Sequence, residues 1–182
     1  MLSKQTLKLT IPFILLFTLF ILLAWELFYS KPSELPSALI GEEVPAFKLP
    51  DLYPSQPPLT QKTLTGQIML LNVWATWCYA CSLEHGMLMK IKNEYHVPIY
   101  SIDYKDNSQD ALNWLQENGN PYEQTGADTK GDVAIDFGVY GTPETFVINA
   151  KGKIIYRHIG AIDQKVWDEV LYPLIRQHGE KK

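Results

Sequence analysis

Cys78 and Cys81 are the only thiols among 182 residues, and two residues separate them in Trp77-Cys78-Tyr79-Ala80-Cys81. Thiols at that spacing close a small ring reversibly, and they cannot staple distant segments of a fold together. The uncharged run Ile68 to Ala75 before them has strand length. Leu83, Met87, Leu88 and Ile91 after them recur at helical spacing. Cys78 therefore falls where a helix starts, beside unpaired backbone N–H groups and the positive end of the helix dipole, and both favour a thiolate. The chemistry this predicts is thiol–disulfide exchange. Cys78 attacks a disulfide to give a mixed disulfide, which Cys81, one turn inward and shielded, then resolves. Two rival readings remain: an inert core pair, and a metal site in which His85 is the third ligand. A structural zinc site wants four ligands, and there is no second cysteine pair to supply them.

The elements that must position this pair follow from pattern. Thr145 to Ile148 and Ile154 to Arg157 read as two strands joined across Ala150-Lys151-Gly152, and Val97 to Ile102 reads as another strand. Asn107 or Ser108 can cap a helix over Ala111, Leu112 and Leu115 that Gly119 stops, and a short helix fits 131–137. Asp163 caps a last helix through Val166, Trp167, Val170 and Leu171, with Pro173 expected to kink or end it. Pro50, Pro54, Pro57 and Pro58 mark an irregular entry loop that Gly66 closes before the strand. Strands alternating with helices and closed by a hairpin predict an α/β fold around a sheet of mixed direction.

Composition narrows the class. A hydrophobic content of 46% and a charged content of 20% suit a folded chain, and a net charge of −4 gives no reason to expect nucleic acid. Leu9 to Trp25 is 17 residues without a charge, preceded by Lys4 and Lys8. The expectation is an uncleaved anchor over 9–29, a cytoplasmic amino terminus over 1–8, a proline-bearing linker over 30–45 and a folded domain over 46–182. A signal peptide is the rival, but Trp25-Glu26-Leu27-Phe28-Tyr29 offers no small-residue cleavage site.

Several stretches together resemble the thioredoxin superfamily and, within it, the CcmG/DsbE thiol:disulfide interchange proteins of cytochrome c maturation. They are Asn72-Val73-Trp74-Ala75-Thr76-Trp77-Cys78, Glu84-His85, Tyr104-Lys105-Asp106, Gly119-Asn120-Pro121-Tyr122, Gly138 through Phe146, and Tyr156-Arg157-His158. The similarity covers roughly residues 38–175. It implies a thioredoxin-like fold, a central mixed sheet flanked by helices, with an amino-terminal transmembrane helix. It implies a redox-active Cys78–Cys81 pair and a cis peptide bond at Pro143, with Thr142 offering backbone groups to a substrate strand. Trp77 would lie beside the sulfurs, and Glu84 and Glu144 near the groove. Asn72 stands where thioredoxins proper carry a buried Asp that serves the second cysteine, so another acid, Glu144 foremost, is expected to tune the thiols or carry the proton. Asp103 departs from the Asn that often precedes Tyr-Lys.

The resemblance further implies a reductase acting on the CxxCH disulfide of apocytochrome c, directly or through a cytochrome c maturation thiol protein. A membrane-embedded donor of CcdA/DsbD type would recharge it, and no cofactor is required. The implied location is the bacterial inner membrane, single-pass, with the carboxy-terminal domain in the periplasm. A disulfide-forming oxidase of the same fold is an alternative. So is a module that binds apocytochrome or an assembly partner, its thiols incidental.

Overall fold

The computed structural model describes residues 4–29 and 39–179. They divide into two compact units. The first consists of α1, Lys4–Tyr29. Among the described residues no helix is long and apolar enough to cross a membrane. The uncharged stretch between Lys8 and Glu26 rises about 26 Å at about 1.5 Å per residue, at the short limit for the roughly 30 Å hydrocarbon core of a bilayer, and the charge of Glu26 interrupts its extension to residue 29. The expected single-pass anchor over 9–29 does not hold, nor does the inner-membrane location built on it. Residues 1–3 of the expected cytoplasmic segment and 30–38 of the expected linker lie outside the described residues.

In the second unit, five strands form one sheet in the order β5-β4-β3-β6-β7. The central strand β3, Met69–Trp74, runs parallel to β4, Ile99–Tyr104, which runs parallel to β5, Gln124–Asp128. On its other side β3 is antiparallel to β6, Glu144–Ile148, which pairs antiparallel with β7, Ile154–Ile159. The sheet is mixed, as the order of elements predicts.

Every residue of β3 is buried, so the strand needs apolar side chains on both faces, and the alternation of a strand sorts them. Leu70 and Trp74 join a core with Leu88, Ile91, Leu115 and Trp167; Met69, Leu71 and Val73 join a second with Ile102, Phe137, Phe146 and Ile148. Asn72 shares its face with Leu70 and Trp74. That places its amide under α2, Tyr79–Lys90, the helix that the cysteines open.

β5 and a small hairpin were not expected. The hairpin pairs β1, Lys48–Leu49, with β2, Leu59–Thr60, and its connection carries Pro50, Pro54, Pro57 and Pro58 of the stretch read as irregular. It lies against β5, where a Cβ on Gly126 would come within 2.8 Å of the Leu49 Cβ, so only glycine admits that approach. Residues 41 and 44, inside the segment expected as linker, hydrogen-bond through backbone to Ile154 and Gly152 of the β6–β7 hairpin.

The remaining helices are α3, Ser108–Asn118, capped by Asn107 through bonds to the Gln109 and Asp110 N–H groups, and α4, Asp132–Asp136. Asp163 caps α5, Gln164–Val166, by accepting from the Val166 N–H. A π-helical turn over Trp167–Leu171 then leads into α6, Tyr172–Gly179. Pro173 neither ends nor interrupts this helical run. The chain has already widened to π spacing there, the Tyr172 N–H reaching back to the Trp167 carbonyl, and the proline follows as the second residue of α6.

Candidate active site

Strand β3 stops at Trp74, and the turn Ala75-Thr76-Trp77 delivers Cys78 as the N-cap of α2. The Cys78 Sγ accepts the Cys81 backbone N–H at 3.1 Å, a first-turn donor that it shares with the Cys78 carbonyl, also at 3.1 Å. Cys78 and Cys81 form a disulfide with their Cα atoms 5.3 Å apart. Cys78 keeps 7% of its surface against 5% for Cys81. The side chains beside it supply the open surface instead, Trp77 at 58% and Tyr79 at 78% exposed.

The turn is held from β4. Asp106 Oδ2 accepts the Thr76 N–H at 2.5 Å, and the Trp77 indole N–H donates to the Lys105 carbonyl at 3.2 Å. Lys105 adopts φ 48°, a left-handed conformation unusual for a side-chain-bearing residue, and this turn directs its carbonyl to the tryptophan. Tyr104-Lys105-Asp106 therefore borders the cysteine turn, at the carboxyl end of the parallel strands.

Thr142 and Pro143 lie at the same end of the sheet, because the next residue, Glu144, pairs with Val73 of β3. The Thr142–Pro143 bond is cis. Thr142 is half-buried, its hydroxyl oxygen enclosed and without a hydrogen-bond partner. Glu144 is a brace for this turn. Its Oε1 accepts the Tyr140 N–H at 2.9 Å, and its Oε2 takes the Arg157 Nε–H at 2.7 Å and Nη2–H at 2.6 Å. Arg157 also donates to the Gly138 carbonyl at 2.8 Å and stacks its guanidinium 4.6 Å from the Tyr140 ring centre. Both oxygens of Glu144 are thus committed to the turn and its arginine.

Glu84 is the acid that sits beneath the cysteines. It is 1% exposed and one turn along α2 from Cys81, on the helix's buried face. Its Oε1 accepts the Asn72 amide at 2.9 Å and its Oε2 the Ile162 N–H at 2.9 Å. Burial pushes its pKa up to about 7, against the pull of those two hydrogen bonds. Of the two acids expected near the thiols, Glu84 lies on the cysteine-bearing helix, while Glu144 is held by the Tyr140 N–H and Arg157. Asn72 gives its second amide proton to the Thr145 hydroxyl at 3.0 Å and accepts from the Tyr122 phenol at 2.9 Å.

Asp103 is the residue whose importance sequence reasoning missed. Both its oxygens are buried without a donor, and burial with the nearby Asp106 and Asp128 carboxylates pushes its pKa up to about 8. The signal available was its departure from Asn at the end of a strand. His85 turns away from the sulfurs: its ring stands edge-on to Trp114 at 4.5 Å, and Nε2 lies 3.2 Å from the Asn118 carbonyl. Among the described residues no group of three or more His, Cys, Asp or Glu could hold a metal ion.

The Redoxin family model matches residues 39–171. The chain is 45% identical over 162 residues to the thiol:disulfide interchange protein DsbE of Pseudomonas aeruginosa, covering 87% of this chain and 89% of that protein. It is 44% identical over 179 residues to the DsbE of Pasteurella multocida, covering 96% and 98%. Among solved structures, the thio-disulfide isomerase of Thermus thermophilus superposes with a TM-score of 0.62 at 27% identity, over 77% of this chain and 96% of that one. With a CxxC disulfide at the head of α2 in a thioredoxin-like sheet, the chain belongs to the Redoxin family, within the CcmG/DsbE group of the thioredoxin superfamily, and is a thiol:disulfide oxidoreductase.

Proposed function

We propose that this oxidoreductase works as a reductase in cytochrome c maturation. Its substrate is the disulfide of an apocytochrome c CxxCH segment, reached directly or through a thiol protein of that process. The observation that carries the reading is the Cys78–Cys81 pair capping α2 above a buried acid, Glu84. The substrate follows from resemblance to the DsbE proteins.

The Cys78 thiolate attacks one substrate sulfur, forming the Cys78–substrate disulfide and releasing the other sulfur as a thiolate. Glu84 takes the Cys81 proton, and the Cys81 thiolate attacks Cys78 Sγ. The mixed disulfide breaks, the Cys78–Cys81 disulfide forms, and two electrons have passed to the substrate. Both substrate thiolates take up protons, one of them relayed from Glu84 through solvent. A thiol-redox donor of CcdA/DsbD type returns the pair to the dithiol. Trp77, Tyr79 and Tyr140 present exposed rings for an extended peptide to lie against, and the Thr142 backbone offers it strand pairing.

A Cys81→Ala variant incubated with an oxidised CxxCH peptide tests this. The expected product is a stable Cys78–peptide disulfide, seen by mass spectrometry and absent when Cys78 is Ser. Failure to trap the CxxCH peptide while unrelated disulfide peptides are trapped would reject the substrate.

A further inference from the structure

Tyr122 is buried in the same core cluster as both cysteines, 50 residues from Asn72 in sequence, with its hydroxyl donating to the Asn72 Oδ1 at 2.9 Å. Asn72 passes both amide protons onward, to Glu84 and to Thr145. Every hydrogen-bonding group of this amide is therefore used, and the donors run in one direction: phenol to amide oxygen, amide nitrogen to carboxylate. Such a chain polarises cooperatively, and a proton accepted at Oδ1 makes the Nδ2–H groups better donors.

From this continuous chain we propose that Tyr122 is a positioning residue for the exchange reaction: through Asn72 it orients and strengthens the hydrogen bond that holds Glu84 ready to accept the Cys81 proton. The proposal rests on the reading of Glu84 given above. Asn72 has two nearly isosteric ends, and the phenol gives its oxygen a reason to face away from the carboxylate. Without that phenol the Oδ1 is a buried acceptor lacking a donor, and the Nδ2–H bond to the carboxylate weakens. The anionic form of Glu84 then loses support, so its proton is held to higher pH. The charged and titratable groups around the chain are Glu84 and the reduced thiols on α2, Tyr122 itself, and Asp103 on β4 with its neighbours Asp106 and Asp128. Asp103 reaches Tyr122 only through the field and is unchanged in each variant below.

The test is the rate at which the reduced protein reduces an oxidised CxxCH peptide, followed by stopped-flow fluorescence across the acid-to-neutral range. Tyr122→Phe is expected to move the acid limb of this profile upward by about half to one pH unit, with the alkaline plateau kept. Replacing Tyr122 by 3-fluorotyrosine, which keeps the ring but donates more strongly, is expected to move it the other way, and serves if the Phe variant does not fold. Glu84→Gln should remove the limb. If Glu84→Gln removes the limb while both Tyr122 replacements leave it in place, the proposal falls and the role of Glu84 stands. Tyr122→Phe slowing the reaction equally at all pH is a structural effect and also overturns it. If Glu84→Gln keeps the limb, the reading of Glu84 fails and the proposal with it.

Discussion

Asp103→Asn should stabilise the fold, and by an amount that grows with pH. In the native state Asp103 has no donor on either oxygen and faces the carboxylates of Asp106 and Asp128, so its pKa stands at about 8 instead of the ordinary 3.8. An acid raised on folding binds a proton that the unfolded chain has released, so stability falls as pH rises from the unfolded value to the folded one. Each pH unit in that window costs about 1.4 kcal/mol, which reaches about 4 kcal/mol near neutral pH if Asp103 bears the whole shift. Asn fills the same volume, carries no charge, and turns an amide donor toward Asp106. The variant should match the parent near pH 4. It should then gain on the order of 2–4 kcal/mol by pH 7 and gain no more above about pH 8. Urea unfolding of the two proteins in parallel, with far-UV circular dichroism as the probe, measures this, because Glu84 titrates in both and cancels in the difference. A stability difference that stays flat from pH 4 to 8 would refute the claim that folding holds a proton on Asp103.

Three further outcomes follow from the site. Glu84→Gln should also stabilise the fold increasingly as pH rises from about 4.5, reaching on the order of 2–3 kcal/mol near pH 7, since burial raises this acid to about 7; a loss of stability at pH 7 in urea unfolding would contradict it. Arg157→Met leaves the Glu144 carboxylate buried beside an apolar chain and should cost about 3–5 kcal/mol, largely recovered in Glu144→Gln/Arg157→Met; denaturant midpoints of the single and double variants decide this. Asn107→Ala removes the cap of α3 and should cost about 1 kcal/mol, measured by thermal unfolding, with the exchange rate unchanged.

How much of this was legible in the sequence depends on what each element owes to its own residues. β3 and the head of α2 were legible because an apolar run and a 3.6-residue pattern meet at the cysteines, and β6 and β7 because β-branched runs flank a turn. β5 was not. Gln124-Thr125-Gly126-Ala127-Asp128 has weak strand preference, and it becomes a strand only by pairing with β4 and accepting the Leu49 side chain over Gly126. The reading of 9–29 as a membrane span rested on hydropathy at the lower edge of the workable length, where one or two charges decide. Within the site, Cys78, Cys81 and the Thr142–Pro143 turn were visible as motifs. The burial of Glu84, Asp103 and Arg157 was not, because a single acid or base in a helix or strand pattern carries no mark of whether it faces water or a partner 13 or 78 residues away.

The position of Glu84 explains what Asn72 leaves undone. Alternation along β3 puts residue 72 on the face that α2 covers, between Leu70 and Trp74, where a carboxylate on the strand would lie under the second cysteine. Asn72 cannot take a proton there, but it can donate, and donation is useful only if an acceptor comes from above. Glu84 supplies that acceptor from the helix, one turn after Cys81, and Ile162 closes its second oxygen. The protonatable group of this buried layer sits on the helix, bonded to the neutral amide of the strand. Replacing Asn72 by Asp would therefore not restore the strand-borne acid at no cost. Two carboxylates would share one dry site, and like charges there force one of them to keep its proton. Asn72→Asp should thus slow exchange near neutral pH and lower stability as pH rises through about 7. Rates and unfolding midpoints equal to the parent at pH 8 would show that the layer tolerates two charges and that the division of labour between strand and helix is not electrostatic.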